Sequence, residues 1–233
     1  MKNNFAKKMM SLSVAFLVIV FGVGYVMTQS VTQTVAKPID LTVAIDAGHG
    51  GIDGGCVGMS TGVTESELNL QFAQKLTKML TNFGIKVVNT RTDKNGLYDE
   101  FSKNYKLEDM KKRIDIINGA NAQILISIHM NKYSNSSQNG AQVFFKQGDE
   151  NSQKLAESIK DMLTANFDNA RKLVLSGDYY ILNNSNTIGV ICECGFLSNP
   201  EEEKNLQNDE YQTKMCYSIY CGIINFLGVA NNY

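Results

Sequence analysis

No excess of basic charge marks this chain. Its 233 residues hold 22 Lys+Arg against 23 Asp+Glu. Lys2, Lys7, Lys8 and Lys37 fall in the first 37 positions, which contain no acid. The remainder is therefore net acidic, a poor match for the phosphate backbone of nucleic acid. A disulfide framework is also missing. The five cysteines, Cys56, Cys192, Cys194, Cys216 and Cys221, are an odd number and form no CxxC pair. Cys192 and Cys194 alternate on an expected strand and read as small apolar residues pointing to opposite faces. The sequence has no GxGxxG and no GK[ST], which argues against a phosphate loop built on Gly48, Gly50 and Gly51. There is no internal repeat and no HExxH. With 43% apolar and 19% charged residues, most of the chain is not disordered. Its length suits one domain with a sizeable core.

One long uncharged run is present, from Met9 to Met27, behind Lys2, Lys7 and Lys8. A basic start followed by an apolar stretch reads as an export signal, and nineteen residues are about enough to span a bilayer. Thr34-Val35-Ala36 is the best cleavage site and a poor one. Residues 1–27 are thus expected to be a signal peptide or a membrane anchor, with the remainder exported. Residues 28–40, polar and containing Pro38, read as a linker, and 41–229 as the catalytic domain.

From Leu41 the pattern alternates. Strands are expected at 41–46, 85–90, 123–129, 141–145, 179–182 and 188–193. Helices are expected at 64–82, around Leu107–Ile117, at 152–167 and at 209–227. This implies a single α/β domain, a mostly parallel twisted sheet with helices on both faces. The Asn/Ser-rich stretch 131–140 should be an exposed, mobile loop.

Only two histidines occur, His49 and His129. Each follows an apolar run, at the carboxyl end of an expected parallel strand, where sites form in open α/β sheets. Thr64-Glu65-Ser66-Glu67 fits a capping box with Glu67 reaching back to Thr64. That leaves Glu65 at the helix tip without a capping duty, unless it is simply a first-turn carboxylate favoured by the dipole. Glu193 sits in an otherwise apolar strand, where a carboxylate is costly unless paired or functional. If it is structural, Arg91 is the plausible partner among the three arginines. Two histidines and a glutamate with one open position make a known type of catalytic zinc site. A second carboxylate, Glu193, would then serve as general base and acid.

Asp46-Ala-Gly-His-Gly-Gly, Glu65-Ser-Glu-Leu-Asn-Leu, Thr90-Arg91-Thr-Asp93, Ser127-Ile-His129-Met-Asn131 and Glu193-Cys-Gly-Phe-Leu-Ser-Asn199 resemble the motifs of the zinc-dependent N-acetylmuramoyl-L-alanine amidases of the amidase-3 family. The resemblance spans Leu41 to about Gly228 and is closest to sporulation amidases, which act in spore cortex maturation. It implies zinc held by His49, Glu65 and His129, and Glu193 as catalytic residue. It implies peptidoglycan as substrate, cut between the lactyl group of muramic acid and L-alanine. With no wall-binding repeat, localisation is left to the segment 9–27, an accessory protein or the groove itself. The alternatives are another zinc hydrolase of the wall, a peptidase or deacetylase, or an inactive wall-binding module.

Overall fold

A computed structural model describes residues 41–99 and 101–228. The 9–27 run and the whole of the expected linker, 28–40, lie outside them. Among the described residues no helix is long and apolar enough to cross a membrane.

Six strands form one sheet: β1 (Thr42–Ala47), β2 (Lys86–Asn89), β3 (Ile124–Asn131), β4 (Gln142–Lys146), β5 (Leu175–Gly177) and β6 (Ile188–Phe196), in the order β2-β1-β3-β6-β4-β5. All neighbouring pairs are parallel except β4 against β6. The helices are α1 (Glu65–Asn82), α2 (Tyr105–Gly119), α3 (Glu150–Asn166), α4 (Tyr180–Asn184), α5 (Pro200–Leu206) and α6 (Asp209–Phe226). The expected mostly parallel α/β architecture is what forms.

The side chains of each strand alternate between two cores. Val43, Ile45, Ile124, Ile126, Ile128 and Val190 meet Leu68, Phe72 and Leu76 of α1, Leu155 and Ile159 of α3, and Ile219 and Ile223 of α6. Ala44, Leu125 and Ile191 face the other way, onto Ile114 and Ile117 of α2 and Ile181 and Leu182 of α4. Each large aliphatic chain so buried contributes about 1.5–3 kcal/mol of transfer free energy.

Two expectations are corrected, and one helix is added. Cys192 and Cys194 both lie in the larger core, because residues two apart on a strand share a face. The run 179–182 is not a strand: Tyr180–Asn184 is a short helix, and the adjacent strand is Leu175–Gly177. An apolar run this short carries no periodicity to separate the two. Helix α5, unforeseen, is nucleated by Asn199, whose side chain accepts from the Glu201 and Glu202 amides, with Pro200 in the first turn.

Candidate active site

Toward the carboxyl ends of β1, β3 and β6, the face under α2 and α4 changes from apolar to polar. Ala44, Leu125 and Ile191 give way to Asp46, Ser127, His129 and Glu193. Asp46 pairs in register with Ser127, and His129 with Glu193. This column carries two of the four candidate site residues, His129 and Glu193, to one sheet edge.

His49 follows β1 in a tight turn with φ 62°, a left-handed conformation that costs a non-glycine residue about 1–3 kcal/mol. The turn is held from behind. Arg113 donates to the carbonyls of Ala47 at 2.7 Å and His49 at 2.6 Å. Arg91 donates to Ala47 O at 2.8 Å and Gly48 O at 3.0 Å. Arg113 is itself paired with buried Asp46 at 2.7 Å and with Asp109. Burial alone would raise the Asp46 pKa, but the Arg113 charge and the Ser127 hydroxyl outweigh it and bring it down to about 2. Gly48 must be glycine, because a Cβ there would stand 2.2 Å from the His129 ring.

Glu65 opens α1. The capping box forms as expected, with Thr64 and Glu67 exchanging hydrogen bonds, so Glu67 has the capping duty and Glu65 does not. Glu65 is 4% exposed and its side chain is turned inward. Its Oε2 accepts from the Cys56 amide at 2.9 Å and its Oε1 from the Met130 amide at 3.2 Å. The same Oε1 lies 2.8 Å from His129 Nδ1 and 3.2 Å from His49 Nε2. One ligand atom from each of His49, Glu65 and His129 thus falls within 4.8 Å of the others. Burial opposes the Glu65 charge, yet the two histidines outweigh it and hold its pKa well below the ordinary range. Burial likewise disfavours the His49 imidazolium, but Glu65 and Asp53 raise its pKa to about 9.

Glu193 stands beside His129 on the neighbouring strand. Its Oε2 is buried with no hydrogen-bond partner. Burial pushes its carboxyl up to about 7, with the His129 charge opposing. Arg91 is not its partner: every hydrogen bond of that guanidinium goes to a backbone carbonyl of residues 47, 48, 66 or 93. The structural reading of Glu193 thereby loses its counterion.

All four expected site residues converge. Residues that the sequence did not disclose support them. Asp53 Oδ2 lies 2.9 Å from His49 Nδ1 and orients the ring. Glu202 accepts from the amides of Phe196 and Gly140, bracing the end of β6 and the 131–140 loop. Glu203 accepts from the Ser60 and Thr61 amides and the Thr61 hydroxyl. The loop is exposed, as expected, but is also tied down by Asn199, which donates to Ser136 O. A cavity of about 230 Å³ opens beside the cluster, lined by His49, His129, Asp53, Lys106, Met110 and Ile181 among others. A larger one, about 460 Å³, lies between Phe167 and α5 and is lined by none of the four.

The model of one protein family, N-acetylmuramoyl-L-alanine amidase, matches residues 43–225. The chain belongs to that amidase family. The amidase is 36% identical over 188 residues to the germination-specific N-acetylmuramoyl-L-alanine amidase of Bacillus subtilis (strain 168), covering 79% of this chain and 78% of the relative. The CwlD amidase from Clostridioides difficile, solved in complex with the GerS lipoprotein, shares its fold at a TM-score of 0.78 and 35% identity, over 82% of this chain and all of that one. The catalytic domain of CwlV from Bacillus (Paenibacillus) polymyxa var. colistinus gives 0.72 at 27% identity, over 81% and 99%. The reaction is hydrolysis of the amide between N-acetylmuramic acid and L-alanine in peptidoglycan, so the amidase acts outside the cytoplasm.

Proposed function

We propose that His49, Glu65 and His129 hold a catalytic zinc ion and that Glu193 is the general base and acid of amide cleavage. The observation that carries this reading is the convergence of three ligand atoms within 4.8 Å beside a buried carboxylate oxygen with no partner. A two-histidine, one-glutamate donor set leaves a fourth position open, as catalytic zinc requires. When bound, zinc would polarise the lactyl carbonyl and lower the pKa of water.

The protein's own groups do the rest. Asp53 holds His49 by its far nitrogen, fixing the tautomer and ring direction. Glu193 takes a proton from the water that attacks the lactyl carbonyl. It then gives that proton to the alanine nitrogen, which leaves poorly unless protonated. A carboxyl whose pKa stands near neutrality can do both. Stem peptide and glycan are the two products, with one water consumed.

Similarity to germination and CwlD amidases supports a place in spore cortex maturation, where stem peptides are removed before muramic-δ-lactam forms. The CwlD complex with a lipoprotein supports an accessory partner for this amidase too. Residues 41–229 are the catalytic domain in this reading, and the segment before them exports or anchors it.

Metal analysis of the full chain together with mass analysis of digested peptidoglycan tests it. Wild type should carry one zinc and release intact stem peptides, whereas a deacetylase would change only the sugar. Glu193→Ala should fold, keep its zinc and lose about 10²–10⁴-fold in rate. Near-normal cleavage by that variant ends the assignment of Glu193. Stoichiometric zinc in His129→Ala after dialysis against a chelator ends the ligand set.

A further inference from the structure

The buried stripe of α1 reads Glu65, Asn69, Phe72, Ala73, Leu76, Leu80. Four members are ordinary core residues, and Glu65 belongs to the site. Asn69 fits neither description. It is fully buried, and its Oδ1 has no hydrogen-bond partner. A buried acceptor left unmade is unfavourable, so an apolar residue would be the simpler solution for the core alone.

What the amide does is visible on its other side. Asn69 Nδ2 donates to Gly48 O at 3.0 Å and to Glu65 Oε1 at 3.4 Å. Reversing the amide would set Oδ1 against two acceptors, so these partners dictate its orientation. The one NH2 group thus reaches both the carbonyl next to His49 and the carboxylate oxygen that lies between both histidines. Position 69 is one helical turn beyond 65, so the two side chains lie on the same face of α1. A single rigid group therefore joins the turn carrying His49 to the helix tip carrying Glu65.

We propose that Asn69 is a positioning residue for the metal site, setting the Glu65 carboxylate against the His49 turn at the expense of an unsatisfied buried oxygen. This rests on the reading of Glu65 as a zinc ligand. Glu65 keeps its bonds from the Cys56 and Met130 amides without Asn69, so removing the amide weakens the site without abolishing it. Outer partners of metal ligands are typically worth about 10–100-fold in metal affinity.

The test compares zinc affinity, measured by competition with a chromophoric chelator, in the full chain and three variants. Asn69→Leu removes the amide and keeps the volume. Asn69→Ala decides the matter if the leucine cannot be packed. Leu76→Ala damages the same stripe about three turns from Glu65 and controls for stability alone. The expected result is about a 10-fold or greater loss of affinity in the Asn69 variants, with Leu76→Ala within about twofold of wild type. Asn69 variants that bind like wild type, or that weaken only as much as Leu76→Ala, overturn the proposal. Failure of the wild-type chain to bind zinc overturns the ligand reading instead, and is seen before any variant is made.

Discussion

On β3, Ile124, Ile126, Ile128 and Met130 look toward α1, α3 and α6, while Leu125, Ser127 and His129 look toward α2 and α4. The first set is apolar from end to end. The second changes character midway, and its neighbours Asp46 and Glu193 change with it. The smaller face starts as core and ends as a site, so its polar groups must be satisfied inside the protein. Asp46, Arg113, Asp109, Thr90 and Ser127 do this by bonding one another. The price of placing charge there is met by pairing. Glu193 Oε2 is the member left without a partner, and it is the one assigned to proton transfer.

That contrast can be broken most forcefully at Asp46. Asp46→Ala leaves the buried Arg113 with Asp109 as its remaining carboxylate and should cost about 3–5 kcal/mol, read by urea unfolding. The His49 turn should loosen with it. A loss below about 1 kcal/mol would mean that the polar column is not what supports that edge.

Glu193→Gln should act in the opposite sense, and only at neutral to high pH. The folded carboxyl is raised from 4.5 to about 7, chiefly by burial. A raised folded pKa means stability that is full below about 4.5 and lost as pH climbs through 7. Metal-free Glu193→Gln should therefore match wild type at pH 4 and exceed it by about 1–3 kcal/mol at pH 8. Equal stability at both pH values would show that the carboxylate is not strained by burial.

Ile126→Val, on the larger face, should cost about 0.5–1.5 kcal/mol and leave kcat/KM of the folded protein unchanged. A fall in kcat/KM without loss of folded protein would show that the two faces are not separate in function. Smallest of all, Glu67→Gln keeps the capping box and should change neither zinc affinity nor stability by more than about 0.5 kcal/mol. A large loss of zinc there would transfer the ligand role from Glu65.

Much of the molecule was legible before folding was considered. The continuous apolar run before His129 marks a strand buried on both faces, and the Thr64–Glu67 box marks the start of α1 to the residue. With the helix start known, Glu65 is left over. Glu193 was visible as a carboxylate with no good reason to be in its strand. Less visible was the opposite orientation of β4, since a short alternating strand reads the same in either direction. Short elements were the weak point. Tyr180–Asn184 is too brief for helical periodicity to show, although Asn199-Pro200 did carry a start signal for α5.

Local sequence therefore determined the longer strands and helices, how α1 begins, and which four side chains are the candidates for the site. These follow from periodicity, capping and the cost of burying charge, and all act over a few residues. Tertiary structure alone decided the partners. Arg113 meets Asp46 across 67 positions, Glu203 meets Thr61 across 142, and Arg91 turns to carbonyls instead of Glu193. A guanidinium or a carboxylate satisfies its bonds with whatever groups the packed fold brings within reach. No local pattern encodes those neighbours, because they exist only once the sheet has brought the strands together.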